Sequence, residues 1–289
     1  MTVRVAVLSD IHANPFALAA VVDDIARQNV DEVIVGGDMV GRGPLGSEVV
    51  ARIQDLGWPG VRGNHEDYTL NFRRQNVEPD WLTAREWAAS RWMAAELLPD
   101  QIDFIDTLPF TLAASGDASL RVFHGSPDSH CEGLGVWTDN AIIESHFNKI
   151  EESVLVCGHT HRPMVRETPG GLVVNVGSVG LPFNGDPRAQ YAIFTQKRDH
   201  WEVELRQVDY DREAFLKTYK TTGFMDAGGV TAELLTHEIR HARPFLVPFI
   251  KWSEATGREP ADMDAMPEFL EVFRPGMSKR DFIKMITPG

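Results

Sequence analysis

Cysteine is almost absent from this chain, with two among 289 residues, and that excludes a disulfide-stapled scaffold. Cys157 sits inside an apolar run where a buried thiol is the ordinary occupant, so no bridge to Cys131 is expected. Basic residues are scarce beside acidic ones, 28 Lys and Arg against 42 Asp and Glu, for a formal net charge of -14. That balance argues against a broad electropositive surface and against binding to nucleic-acid backbones. No window approaches the roughly 18 uninterrupted apolar residues of a membrane span. The amino terminus enters an apolar, β-branched run at once, without a charged and then apolar leader, so the expected location is the cytoplasm. Internal repeats and low-complexity tracts are missing too. What remains is a globular chain, 43% hydrophobic, long enough to bury a full core.

Five short runs of apolar residues, at 3–8, 33–35, 60–61, 120–123 and 154–156, each end in a polar group. In order these are Asp10-Ile11-His12, Gly37-Asp38, Gly63-Asn64-His65-Glu66, His124 and Gly158-His159-Thr160-His161. The runs read as strands, and the polar groups therefore sit at strand C-terminal ends, the edge where α/β sheets place their chemistry. Any one of these histidines alone reads equally well as a core or capping residue. Five groups in fixed order read as a two-metal site. Two divalent ions about 3.5–4 Å apart need a bridging carboxylate, and imidazole, carboxylate and amide donors for the remaining positions. Asp38 is the natural bridge; Asp10, His12 and His161 can complete one ion's shell, and Asn64, His124 and His159 the other's.

The motifs around these ligands resemble calcineurin-like metallophosphoesterases. Ser9-Asp10-Ile11-His12-Ala13-Asn14 and Gly158-His159-Thr160-His161-Arg162-Pro163 are similar to the bacterial phosphodiesterase branch. Gly37-Asp38-Met39-Val40-Gly41-Arg42-Gly43-Pro44, followed by Val61-Arg62-Gly63-Asn64-His65-Glu66, is closer to serine/threonine phosphatases and diadenosine tetraphosphatases. The resemblance runs from about Val3 to about Val208. It implies a two-sheet α/β sandwich flanked by helices, and hydrolysis of a phosphoester by water activated between two divalent cations. The substrate class is a small phosphorylated molecule, with nucleotide, phosphodiester and phosphoprotein left open.

Imidazole and carboxylate without thiolate suit Mn first, with Fe, Zn, Ni, Co or Mg as alternatives. The place of His65 beside Asn64 points to a general acid or a phosphate contact, and that of Arg42 after the bridging carboxylate points to phosphate binding. If the loops converge, Arg42, Arg62 and Arg162 offset negative charge at the site. One departure from the family stands out: protein phosphatases usually carry, at the position of Gly41, an aspartate that supports the histidine corresponding to His65. Glu66 is the candidate substitute.

Around the motifs, Asn14-Pro15 reads as a helix cap with proline in the first turn. Helical spacing recurs over 45–56 and 138–150. Residues 67–107, rich in tryptophan, read as an inserted helical cap. Gly170-Gly171 marks a hairpin, and two further strands at 190–195 and 201–208, joined across 197–200, are expected to complete the second sheet. Residues 1–208 thus form the expected catalytic domain. Residues 209–289 form a helical extension, whose packing on the core, over the site or against another copy of the chain is left open.

Two rival readings remain. A scaffold protein could keep the fold and bind partners, although no ligand position has been lost. In the extension, His237-Glu238-Ile239-Arg240-His241 fits the H-E-x-x-H pattern of zinc peptidases; it reads here as an exposed helix with a chance match.

Overall fold

The computed structural model describes residues 3–115, 119–198, 200–274 and 276–286. Strands β1 (Arg4–Leu8) and β2 (Glu32–Val35) pair in parallel across helix α1 (Pro15–Ile25). That helix begins where the sequence predicts, with Asn14 Oδ1 accepting the Ala17 amide at 3.0 Å and Pro15 in the first turn. Helix α2 (Gly46–Leu56) follows. The strand expected at 60–61 shrinks to one parallel bridge between Gly60 and Val35. Pro59 has no amide hydrogen to lengthen the ladder, and the chain turns at once into α3 (Asn64–Arg73). Helices α4 (Ala88–Ala95) and α5 (Pro99–Thr107) complete the insertion.

The second sheet begins with β3 (Thr111–Ala113) and β4 (Leu120–Phe123). Helix α6 (Asn140–Phe147) leads into β5 (Val154–Cys157), and then comes the hairpin of β6 (Met164–Thr168) and β7 (Gly171–Asn175). The order is β3-β4-β5-β7-β6. The last two strands, β8 (Ala189–Gln196) and β9 (Trp201–Val208), do not join this sheet as expected; they complete the first one, in the order β2-β1-β8-β9. Within their connecting turn, Asp199 lies outside the described residues. The cause of the switch is the crossing at 176–180, where the amides of Val179 and Gly180 bond to the carbonyls of Ser9 and Asp10, both at 3.0 Å. This crossing steers the chain to the open edge of β1. A Cβ on Gly180 would lie 1.9 Å from the Ile11 carbonyl oxygen, so the crossing needs glycine there.

Alternation along β1 explains the layering. Ala6 and Leu8 pack with Leu18 and Val21 of α1, while Val5 and Val7 pack with Val122, Val156 and Val174 of the opposite sheet. On the outer face of that sheet, Leu155 and Val173 meet Ile143 and Phe147 of α6. The result is the expected helix, sheet, sheet, helix sandwich.

Beyond β9 come α7 (Arg212–Thr221), α8 (Phe224–His241, kinked at Gly229), α9 (Leu246–Thr256), α10 (Met266–Val272) and α11 (Lys279–Ile286). Phe215 and Tyr219 of α7 and Leu235 and Ile239 of α8 share a core with Ala89 and Met93 of α4. Insertion and extension therefore bury their apolar faces against each other. A second aromatic core, including Phe249, Trp252, Phe269, Phe273 and Phe282, holds the last helices together.

A buried carboxylate ties α1 to the edge of the first sheet. Asp24 Oδ2 accepts the Tyr191 hydroxyl and Arg206 Nε, each at 2.7 Å. Burial opposes its charge, but Arg206 and Tyr191 outweigh burial and hold the carboxyl below its usual range. Asp24→Ala is expected to lower stability by about 1–3 kcal/mol at pH 7. Because the folded pKa is depressed, that contribution is present above the unfolded value and fades as pH falls through the folded one. Urea unfolding of both proteins from pH 7 down to 3 checks it; a stability gap that does not narrow on acidification would contradict the assignment.

Candidate metal centre

The motif loops converge at the C-terminal ends of β1, β2, β4 and β5, and their backbones are unusual. Asp10, His12, Asp38, His159 and His161 all take positive φ, between 50° and 64°. Such conformations are costly for residues with a Cβ, and they cluster where surrounding structure over-determines them. Here the surroundings are backbone bonds. The amides of Asp10 and His12 bond to the carbonyls of Gly37 and Asp38, both at 3.0 Å, and the His159 amide bonds to Asp10 Oδ2 at 3.0 Å.

The side chains then meet in a small buried space. Asp10, His12 and His161 form one cluster of convergent donor atoms, and Asp10, Asp38 and His124 another. Asn64 Oδ1 lies 3.0 Å from His124 Nε2 and 2.8 Å from His159 Nδ1, and His124 Nε2 lies 3.2 Å from Asp38 Oδ2. All seven residues singled out in the sequence are thus gathered in one place.

Three features of this geometry fit bound cations. His161 Nδ1 donates to the Leu181 carbonyl at 2.6 Å and His12 Nδ1 points at the Val40 carbonyl at 3.4 Å. Their Nε2 lone pairs therefore face each other at 3.0 Å, which is repulsive unless a positive charge sits between them. Asp10 Oδ1 is buried without a well-directed hydrogen bond, although His161 Nε2 is 3.1 Å away. His124 has its other nitrogen fixed by the Gly36 carbonyl at 2.9 Å, which aims Nε2 inward.

Charges follow from burial and from these neighbours. Burial works against ionising Asp38, but the charged His124 ring holds its carboxyl well below the usual range. Burial keeps His12 well below the ordinary imidazole value and His159 at about 4. His124 goes the other way, because Asp38 and then Asp10 overcome burial and lift it to about 10.

His65 and Arg42 stand at the edge of this cluster. Arg42 Nε donates to His65 Nε2 at 3.2 Å, and Nη1 donates to Glu238 Oε2 at 3.2 Å. Burial and Arg42, against the pull of Asp38, push His65 down to about 3, so its resting ring is neutral. Glu66 does not support His65. Its fully buried carboxylate accepts the amides of Asp38, Met39, Val40 and Gly63, at 2.7–3.3 Å. The space for a supporting aspartate is also taken, since a Cβ on Gly41 (φ +77) would lie 2.3 Å from His65 Nδ1.

Of the other arginines, Arg62 is turned toward Asp67 and Asp106 of the insertion, and Arg162 lies over Trp137. Lys279 of α11 was not foreseen. Burial and then the field of Arg42 lower its pKa, against Glu238. Nothing in its sequence context marks it.

The helix that carries the H-E-x-x-H segment is not exposed as expected. Glu238 is fully buried, with Oε1 accepting the amides of Phe245 and Leu246 at 2.7 and 2.9 Å and Oε2 facing Arg42. Its carboxylate is thereby engaged. Among the described residues, no cluster able to hold a metal includes His237, Glu238 or His241. A separate cluster of Asp128, Glu132 and His146 has its own cation, because Lys149 Nζ is 2.5 Å from both Asp128 oxygens.

With this geometry in hand, the chain can be compared with known proteins. A family model described as the calcineurin-like phosphoesterase superfamily domain matches residues 3–199. An uncharacterized protein of Methanocaldococcus jannaschii is 28% identical over 232 residues, which is 75% of this chain and 92% of that protein. Among solved structures, a metallophosphoesterase from Sphaerobacter thermophilus is similar at 25% identity with a TM-score of 0.67, over 83% of this chain and 99% of its own. A hypothetical protein from Pyrococcus horikoshii shares the fold at 21% identity with a TM-score of 0.70, over 84% of this chain and all of its own.

The raised pKa of His124 has a measurable consequence. A ring held protonated up to about 10 must lose its proton before Nε2 can ligate. Loading chelator-treated protein with Mn at pH 8 should therefore release about one proton per chain from this ring, and affinity should rise with pH. Calorimetry in buffers of different ionisation enthalpy measures the release. Heats independent of buffer would rule out a charged His124.

Proposed function

Since the chain belongs to the calcineurin-like phosphoesterase superfamily, we propose that it is a binuclear metal-dependent phosphoesterase acting on a small phosphorylated substrate. In this reading Asp10, His12 and His161 would hold one divalent cation and Asn64, His124 and His159 the other, with Asp38 as the carboxylate between them. The observation that carries the reading is the convergence of three donor clusters, Asp10–His12–His161, His12–Asp38–His65 and Asp10–Asp38–His124, on the shared carboxylates of Asp10 and Asp38, with Arg42 bonded to His65. Imidazole and carboxylate donors make Mn the first candidate metal. Bound there, two divalent cations supply Lewis acidity to the phosphoryl oxygens and bring the pKa of water down toward about 7.

The chain's own residues do the rest. Arg42 uses Nε and Nη1 within the protein, which leaves Nη2 for a phosphoryl oxygen, with the Asn64 amide as a second donor. His65 is neutral at rest and its Nε2 accepts from Arg42 Nε, so it reaches the leaving oxygen only when that bond gives way. To act as a general acid it must take up a proton, and an adjacent phosphoryl dianion favours that by its charge. Among the described residues, no carboxylate hydrogen-bonds its Nδ1, which packs against Gly41.

The first test is turnover of an aryl phosphate by Mn-loaded protein. Absence of metal-dependent turnover on monoester and diester alike would sink the enzymatic reading and favour a scaffold. His65→Ala should keep its metals and slow turnover by roughly 10²–10⁴-fold, with poor leaving groups suffering most. Equal losses across a leaving-group series would reduce His65 to a phosphate contact.

A cation gripping a terminal phosphoryl group is worth most when that group is dianionic. Arg42→Ala should thus lower kcat/KM on an aryl monoester more than on the matching diester, with metal content unchanged. A larger fall on the diester would reverse the preference for monoesters.

A further inference from the structure

The site described so far draws its residues from 10 to 161, yet the Arg42 loop is held from the far end of the chain. Arg42 itself takes φ of 60°, a conformation that does not persist without support. The Tyr219 hydroxyl of α7 donates to the Arg42 carbonyl at 2.6 Å. Glu238 of α8 meets its guanidinium, and a Cβ on neighbouring Gly43 would sit 3.2 Å from Phe215 Cζ. Backbone and side chain of this loop are thus both seated on the helical extension.

Glu238 is built to be immobile. One carboxylate oxygen caps the first amides of α9 and the other meets Arg42, so the two oxygens are divided between anchor and load. A free arginine loses rotamer entropy when it binds an anion. Fixing the guanidinium beforehand removes much of that cost. The Glu238–Arg42 pair also keeps Arg42 Nε directed at His65, so one contact orients two side chains.

We infer that Glu238 is a positioning residue, which sets the Arg42 guanidinium for a phosphoryl group in the metal centre and makes the helical extension part of the site. The inference rests on the reading of Arg42 as an anion contact. It gives the buried glutamate of the H-E-x-x-H segment a role unrelated to zinc.

A double-mutant cycle separates positioning from mere stability. Glu238→Gln keeps an oxygen for the α9 amides but loses the charge facing Arg42. The readout is inorganic phosphate binding to the full-length Mn-loaded protein, by calorimetry, with thermal melting as a control. Glu238→Gln should weaken phosphate about tenfold in the wild-type background and leave it unchanged in an Arg42→Ala background. An equal loss in both backgrounds, no loss in the wild type, or no phosphate binding by wild-type protein would overturn the inference. If Glu238→Gln does not fold, Glu238→Asp, which withdraws the charge by one methylene, is put through the same cycle with the same expected coupling. Aryl phosphate turnover is measured alongside. Coupled phosphate binding without turnover would refute the phosphoesterase reading and leave the role of Glu238 standing.

Discussion

The candidate metal centre depends on one buried carboxylate whose hydrogen bonds go to backbone amides, that of Glu66. Glu66 accepts four backbone amides, three from the loop after β2 and one from the turn before α3. It thereby sets the separation of Asp38 from Asn64. The Asp38 carboxylate returns the contact, with Oδ1 accepting the His65 amide at 2.8 Å. Two loops from distant stretches of sequence are therefore latched twice, by a side chain of each on the backbone of the other. Burial and the neighbouring Asp38 push Glu66 up to about 7, against the amides that favour its charge. Cations at the donor clusters would relieve that repulsion, so latch and metals support each other.

The same logic accounts for the positive φ values at five of the candidate ligands. Each costs of order 1–3 kcal/mol, and local propensity offers nothing in return. What holds them is the pairing of each loop with the next, β1 loop to β2 loop and the 176–180 crossing to β1 loop. The strain sits in the loops because the strands beneath are buried on both faces and cannot yield.

Much of this was legible in the sequence because the chemistry demands particular residue types after apolar runs, and short, β-branched apolar runs bounded by turns read as buried strands. Other features were not. The sheet that β8 and β9 join depends on where one crossing lies, and strand composition carries no trace of that. Arg62 reads as a site cation until the insertion brings Asp67 and Asp106 against it. Glu66, three residues after Gly63, reads as a partner for His65, and only the geometry turns it toward backbone amides. Glu238 was the hardest to interpret. Its meaning is a contact with a residue 196 positions earlier, and the motif around it suggests a different chemistry.

That long separation bears on how the chain matures as it is made. All seven candidate ligands have been synthesised once His161 is in place, but Glu238 follows 77 residues later. At ribosomal rates of about 5–20 residues per second, that is a lag of roughly 4–15 s. During it a nascent chain can assemble the metal-binding loops while its Arg42 loop still lacks Tyr219 and Glu238. The Arg42 loop is thus the last part of the candidate site to gain its supports.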